Sequence, residues 1–394
     1  MGISNKSIEK YFKENNIDYL VFDDNNQTND INIEEIDLII KSPGIKNDHP
    51  LLLNNVPRIC DLEMFYNLSK DKTLITVTGS NGKTTTVSIL DHLIEDVDLG
   101  GNIGFPLFDF ISSNKDIVIE ASSFMLEHIK KFRSKYVIIL NLYKTHLDHH
   151  GCFANYVKSK LNIIKNSNEN DYIIYNYDDV LLRRLVEAYE GNKIPFSCKT
   201  NTLIHCDGDY IYYQNQKILD IKDIKLIGHH NIMNVMASIG VVMNYHGDIS
   251  KIKSFNAVKY RLEFFKKYNQ VDIYNDSKST NFNATLNAVL SFPDKRVLLI
   301  CGGMKRNDNF HLFDKLDNIK RIYLFGESRY DFKEYFKNKV SDYALYETLE
   351  EVIKNLNLNN IDIILFSPGC ASYDQFKSYI ARGEVFEKLI NMYL

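Results

Sequence analysis

No apolar run in this chain is long enough to span a bilayer, which sets aside a helical membrane span. The opening "MGISNKSIEKYFKENN" lacks the apolar core of a secretory signal. Gly2 invites N-myristoylation, but position six is Lys6 where that motif wants Ser or Thr. Neither sign of charge is in excess. Lys and Arg number 47 against 51 Asp and Glu, a net charge of −4, so no general affinity for nucleic acid or an acidic membrane face is expected. The six cysteines (Cys60, Cys152, Cys198, Cys206, Cys301 and Cys370) contain no C-x-x-C pair. Free thiols in a reducing cytoplasm are therefore expected in place of disulfides or zinc, and His205-Cys206 reads as structural. Internal repeats and low-complexity linkers are absent too.

What is present is ordinary for a globular protein: 44% hydrophobic and 25% charged residues. A length of 394 residues predicts two or three domains. Apolar runs in "IDYLVFDD" and "IDLIIKSPG", after a helical N-terminal stretch, suggest a small α/β unit ending near residue 70. Asp23 and Asp24 would close its first strand, and Ser42-Pro43-Gly44 its second. "KDIVIEASS", "KYVIILNLY" and "NDYIIYNYDD" read as strands separated by helical patterns, and "LIGHHNIMNVMASIGVVMNY" as a helix with Ile232, Val235, Met236 and Ile239 on one face. From "QVDIYNDSKSTN" onward the alternation resumes through "KRVLLICGG", "RIYLFGES" and "IDIILFSPG". Such alternation means parallel sheets with helical crossovers. Three α/β domains are expected: 1–70, 71–265 and 266–394.

The stretch "TLITVTGSNGKTTT", residues 73–86, reads as a buried strand, a tight turn and a helix start whose amides point at a phosphate. It departs from G-x-x-x-x-G-K-[ST], because the place of the first glycine is held by Val77. Lys83 and Thr84 still stand where a phosphate-binding lysine and a magnesium-binding hydroxyl belong. Glu120 ends the strand "DIVIE". The turn after Asn141 carries His146, Asp148, His149 and His150, which by residue type fits a structural cluster, a zinc site or a magnesium site.

The motifs T-G-S-N-G-K-T-T, "GGNIGFP", "EASSFMLE", "HLDHHG", "HNIMN", "YRLEFF", "NDSKSTN", "GGMK" and "SPGCASYDQF" follow one another in this order. Together they resemble the Mur ligase family across residues 42–394, and the last long pair resembles its D-glutamate-adding branch. The resemblance implies a small Rossmann-like N-terminal domain, a central P-loop ATPase domain with a parallel sheet, and a Rossmann-like C-terminal domain. It implies ATP, two Mg2+ ions, and D-glutamate added to UDP-N-acetylmuramoyl-L-alanine through an acyl phosphate, by a cytoplasmic monomer making peptidoglycan precursor. Residue by residue, Gly79, Ser80, Asn81, Gly82, Lys83, Thr84 and Thr85 would cradle the triphosphate. Thr84 would hold one magnesium, and Glu120, His146 and a carbamoylated Lys160 the second. Asn231 and Asn234 would meet adenine, Arg261 the phosphates and Asp276 the ribose. Asn102 would contact the acceptor, with Ser42, Pro43 and Gly44 against its uridine end. Lys278, Thr280, Lys305 and Ser372 would bind the carboxylates of D-glutamate, with Tyr373 and Tyr379 along the wall. The nucleotide would draw the last two domains together.

On spacing alone Lys160, in "FANYVKSKLNIIKNS", reads as a solvated helix lysine. Three features depart from the family pattern: no strand precedes the first glycine turn, Thr145 and His149 flank the histidine turn, and "GGMKRNDNF" is one residue short. A folylpolyglutamate synthase would share the loop but begin with its nucleotide domain. A Mur ligase for another amino acid, or a nucleotide-binding regulator without ligation, completes the alternatives.

Overall fold

The structure, a computed structural model, describes residues 3–23, 32–45, 48–103, 105–305 and 316–394. The chain divides into two compact units: residues 1–223 with 233–253, and residues 224–232 with 254–394.

In the first unit, nine strands form one sheet, in the order Gln216–Asp220, Tyr210–Tyr213, Ile204–Cys206, Asn192–Ser197, Tyr172–Asn176, Tyr136–Ile139, Leu74–Thr78, Asp116–Glu120 and Val97–Gly101. All neighbours are parallel except the two pairs made by Tyr210–Tyr213. Leu74–Thr78 is buried along its whole length, as the uninterrupted apolar run of a strand covered on both faces requires. Asp116–Glu120 lies on one side of it and Tyr136–Ile139 on the other. The direction of winding reverses there, and the carboxyl end of a strand at such a switch point is where open α/β sheets receive ligands.

Several buried residues of 1–70 share a core with the segment that follows. Ile8, Cys60, Leu62 and Phe65 are buried in one cluster with Leu74, Leu107, Phe108, Ile117 and Phe132 of the segment that follows. Among the described residues of 1–70, the one sheet is the parallel pair Ile39–Lys41 and Arg58–Cys60, and Ser42-Pro43-Gly44 follows the first strand directly. "IDYLVFDD" corrects the sequence reading: residues 17–23 form no strand, and Asp24 lies outside the described residues. Alternating apolar residues make a strand only where a partner takes the backbone hydrogen bonds. Here Leu20 is 60% exposed and Val21 and Phe22 are exposed too.

A second correction concerns sulfur. Cys198 and Cys206 form a disulfide, with Cα atoms 5.0 Å apart. The cause is register. Phe196 lies opposite Ile204 and Ser197 opposite His205, so the next position on each strand brings the two cysteines side by side. Cys60, Cys152, Cys301 and Cys370 stay as thiols, outside any disulfide.

The second unit is a six-stranded sheet in the order Glu263–Tyr268, Val271–Asn275, Ile363–Phe366, Val297–Gly302, Ile319–Phe325 and Tyr343–Leu345, antiparallel only in its first pair. Val297, Leu299 and Cys301 face one apolar cluster and Leu298 and Ile300 the other, the period of two that a sheet covered on both faces imposes. No helix among the described residues is long and apolar enough to cross a membrane.

Candidate active site

Helix Lys83–Leu93 starts directly after the turn that leaves strand Leu74–Thr78. Its first amides and the positive end of its dipole therefore face the loop, an arrangement suited to phosphate. Gly82 caps the helix at φ +88°. A Cβ there would stand 2.4 Å from Asn234 Oδ1 and 3.1 Å from Leu140 Cδ1. Gly82→Ala therefore meets both a left-handed backbone, a strain of about 1–2 kcal/mol, and a buried amide. We expect a lower denaturation midpoint and at least about a tenfold loss of affinity for an ATP analogue. A variant matching the parent in both measurements would remove this account of the loop.

The loop is fixed by residues that sequence reasoning left unassigned. Asn81 N donates to Asn141 Oδ1 at 2.8 Å, Asn141 Nδ2 returns to Asn81 O at 3.1 Å, and Ser80 N donates to Asn141 O at 3.0 Å. Ser80 Oγ lies 2.7 Å from the Tyr156 hydroxyl and accepts from Tyr143 N at 2.8 Å. An asparagine ending the strand beside the loop strand was the available signal for the first of these. No sequence signal marks Tyr156.

Five of the predicted residues meet at the loop. Thr84 Oγ1 donates to Glu120 Oε2 at 2.8 Å, and Asn102 Nδ2 donates to Glu120 Oε1 at 3.0 Å. Lys83 Nζ donates to Gly79 O at 2.8 Å and to Ser80 O at 3.1 Å. Lys160 Nζ reaches the same Gly79 O at 2.9 Å and Thr78 Oγ1 at 3.3 Å. Lys160 is only 2% exposed, which overturns the solvated-lysine reading. Burial drives its amine well below the ordinary lysine range, Lys83 pushes the same way, and Glu120 partly opposes them.

His146 begins the one-turn helix Leu147–His150 in a left-handed conformation, φ +54°. Its ring packs edge-on to Phe124, centroids 5.1 Å apart, and lies 6.5 Å from the Tyr156 ring. Lys160 Nζ stands 5.1 Å from that same tyrosine ring. Tyr156 is thus the common neighbour of His146, Lys160 and Ser80. Thr85 is buried in the loop helix, and Asn234 is buried beside Gly82.

In the second unit Asn231 Nδ2 donates to Ile227 O at 2.8 Å. Asp276 is buried, and burial raises its carboxyl to about 6, against the pull of hydrogen bonds from Ser279, Ser367 and Leu262 N. Arg261 contributes to the field at Asp276. Lys278 Nζ sits 3.7 Å from the centroid of the Tyr379 ring, a cation–π contact. Ser372 is buried, its carbonyl accepting from Gln375 N and Phe376 N, whereas Tyr373 is exposed. Thr280 lies half-buried on the turn after Lys278. Lys305 Nζ is 3.3 Å from Asp331 Oδ1. The rest of the short "GGMKRNDNF" loop, from Arg306, and Gly104 of "GGNIGFP" lie outside the described residues.

A buried parallel sheet, a phosphate loop at its switch point and a carboxylate held by the loop threonine define a P-loop nucleotide enzyme. Residues 77–242 match the Mur ligase middle domain. The UDP-N-acetylmuramoylalanine–D-glutamate ligase of Oceanobacillus iheyensis is 35% identical over 379 residues, covering 89% of this chain and 82% of that protein. Proteins of the same name from Clostridioides difficile (33%, covering 91% and 85%) and Lactobacillus helveticus (36%, covering 91% and 83%) are similar to it as well. The fold is shared with the Thermotoga maritima MurF ligase solved in complex with ADP, at a TM-score of 0.62 and 19% identity over 92% of this chain and 97% of that one. It is shared too with the UDP-N-acetylmuramate–alanine ligase MurC of the same organism, at 0.63 and 20% over 90% and 85%. The chain belongs to the Mur ligase family, among its UDP-N-acetylmuramoylalanine–D-glutamate ligases.

Proposed function

We propose that this protein is an ATP-dependent amide ligase that joins D-glutamate to UDP-N-acetylmuramoyl-L-alanine in peptidoglycan precursor synthesis. The observation that carries the reading is the meeting of Lys83, Thr84, Asn102, Glu120 and Lys160 around one phosphate loop, in a chain with relatives of that name. A cytoplasmic location, a monomer and domain boundaries at 70 and 265 go with it.

The acceptor's carboxylate attacks the γ-phosphorus of ATP, giving an acyl phosphate and ADP. The amine of D-glutamate then attacks the acyl carbon, and phosphate leaves from the tetrahedral intermediate as the amide forms. Lys83 and the loop amides offset charge on the transferring group, and the fixed loop holds the reactants in line. Asn102, which donates to Glu120, steers the acceptor carboxylate in this reading. Of the nucleotide contacts, Asn231 and Asn234 take adenine, Arg261 the phosphates and Asp276 the ribose. Ser42, Pro43 and Gly44 take the uridine end.

The donor set suits magnesium. The Thr84 hydroxyl and the Glu120 carboxylate are hard oxygen ligands already joined at the loop. Lys160 adds oxygens once its amine takes up carbon dioxide, forming an N–C bond and releasing one proton. With His146, these residues would hold two Mg2+ ions, which neutralise phosphoryl charge when bound.

D-Glutamate's carboxylates fall to Lys278, Thr280, Lys305 and Ser372, with Tyr373 and Tyr379 as walls. Inverting Cα with both carboxylates anchored swings the amine away from the acyl phosphate. Phosphate release with ATP and the UDP-sugar–alanine acceptor should therefore require D-glutamate, with L-glutamate, lysine and diaminopimelate giving background. Equal rates with both glutamates, or turnover only with a diamine, would sink the assignment.

A further inference from the structure

One cluster of ligating side chains has no role in that chemistry. Glu127 directly follows the short helix Ser123–Leu126, and His149 and His150 end the one-turn helix Leu147–His150. One donor atom from each of the three lies within 4.8 Å of the others. We propose that Glu127, His149 and His150 form a site for a borderline divalent transition-metal ion, of the class of Zn2+, Co2+ or Ni2+, separate from the magnesium ligands.

Ligand type comes first. Two imidazoles and one carboxylate favour these ions over magnesium, which prefers oxygen and keeps its water. Spacing agrees. Ligand atoms about 2.0–2.1 Å from a tetrahedral ion stand about 3.3 Å apart, and His149 Nε2 is 2.9 Å from Glu127 Oε2. The remaining separation is within reach of ring and carboxylate rotation. His128 Nε2, 3.8 Å from the same Glu127 oxygen, offers a fourth position beside water.

The surroundings are those of a metal-binding histidine. His150 is buried, with Nε2 3.0 Å from Ser123 Oγ and Nδ1 3.4 Å from Ser159 Oγ. Whichever nitrogen binds the ion, a hydroxyl remains to orient the other, as outer partners of metal-bound imidazoles do. Phe124 walls the cluster, its ring 4.5 Å from that of His149 and stacked 5.5 Å from that of His150. An ion there would tie the segment after Glu120 to the turn that begins with His146.

The test uses the full chain, stripped of metals with a chelator that is then removed, with Mg2+ present to fill oxygen sites. Added Co2+ should give visible d–d absorption at one equivalent, and Zn2+ should displace it. His149→Phe and Glu127→Gln should each weaken Co2+ binding at least about tenfold, whereas His146→Ala should keep the band. Glu127→Gln is nearly isosteric and guards against misfolding of the histidine variant. Absence of a band in the parent would overturn the proposal. So would a band that persists in both His149→Phe and Glu127→Gln, or one lost only in His146→Ala.

Discussion

Lys160→Ala should lose nearly all ligation, by about 10³-fold or more, while folding normally. The side chain ends at the Gly79 carbonyl inside the phosphate loop and at Thr78 Oγ1, the last residue of the loop strand, so its removal acts on the site and leaves the backbone pairing of the sheet intact. Alanine is also the best helix former for position 160 of helix Phe153–Leu161. As a carbamate, Lys160 brings a negative charge and two oxygens to a place where an ammonium would repel both Lys83 and magnesium. The space left by alanine should admit formate or acetate, whose carboxylate takes the carbamate's place. Millimolar amounts should restore part of the activity in Lys160→Ala and none in Lys83→Ala, where the phosphate contact itself is gone. Lys160→Arg should stay inactive, since guanidinium keeps its charge in a fully buried position and takes up no carbon dioxide. Near-parental activity of Lys160→Arg would falsify the carbamate assignment.

The depressed amine also makes a statement about pH. Before carbon dioxide is taken up, and at pH between the folded and unfolded values of this amine, the unfolded chain holds a proton on Lys160 that the folded chain gives up, because burial and Lys83 disfavour the charge. The stability difference therefore runs toward higher pH: folding gains as pH rises from the folded value of this amine toward the ordinary lysine value of ~10.4. Lys160→Met, with no titrating group, should lose that slope in a denaturation series.

How much of this was legible in the sequence varied with the kind of signal. Leu74–Thr78, Asp116–Glu120 and Tyr136–Ile139 were readable because uninterrupted apolar runs between polar turns are what buried parallel strands need. Glu120 and the loop residues were readable because their positions are tied to strand ends. Lys160 was not readable as buried from residue type, since lysine is rarely inside. Its face was a signal nonetheless: Lys160 lies four residues after Tyr156 and three after Val157, both buried. "IDYLVFDD" misled because its pattern is that of a strand while the partner that decides is remote. The Cys198–Cys206 pairing rests on strand register, and nothing local announces it. The cluster of Glu127 with His149 and His150 is likewise a contact across 22 residues, visible only once both short helices are placed.

Arg382→Ala should destabilise the second unit by about 3–5 kcal/mol and raise the KM for D-glutamate. Arg382 is fully buried, and no motif drew attention to it. Its Nη1 donates to Cys370 O at 2.9 Å, Nη2 to Ser277 O at 2.7 Å and Nε to Ser277 Oγ at 3.1 Å. One guanidinium thus fastens the turn carrying Lys278 and Thr280 to the turn carrying Ser372 and Tyr373. Burial lowers it only to about 10, so it is charged at neutral pH, and its planar fork supplies all three donors from one side chain. Removal leaves two carbonyls and a hydroxyl without that donor, and opens a cavity beneath both turns. Gly383 next to it packs tightly on Tyr260, whose ring a Cβ there would meet at 2.5 Å. Arg382→Lys should fall between, retaining the charge but not the three-way fork. Because the damage is to the placement of the residues proposed to bind D-glutamate, the apparent affinity for ATP should change far less than that for D-glutamate. Chemical denaturation together with separate KM values for the two substrates checks this. An unchanged midpoint with an unchanged D-glutamate KM would show that the two turns hold their shape without the arginine.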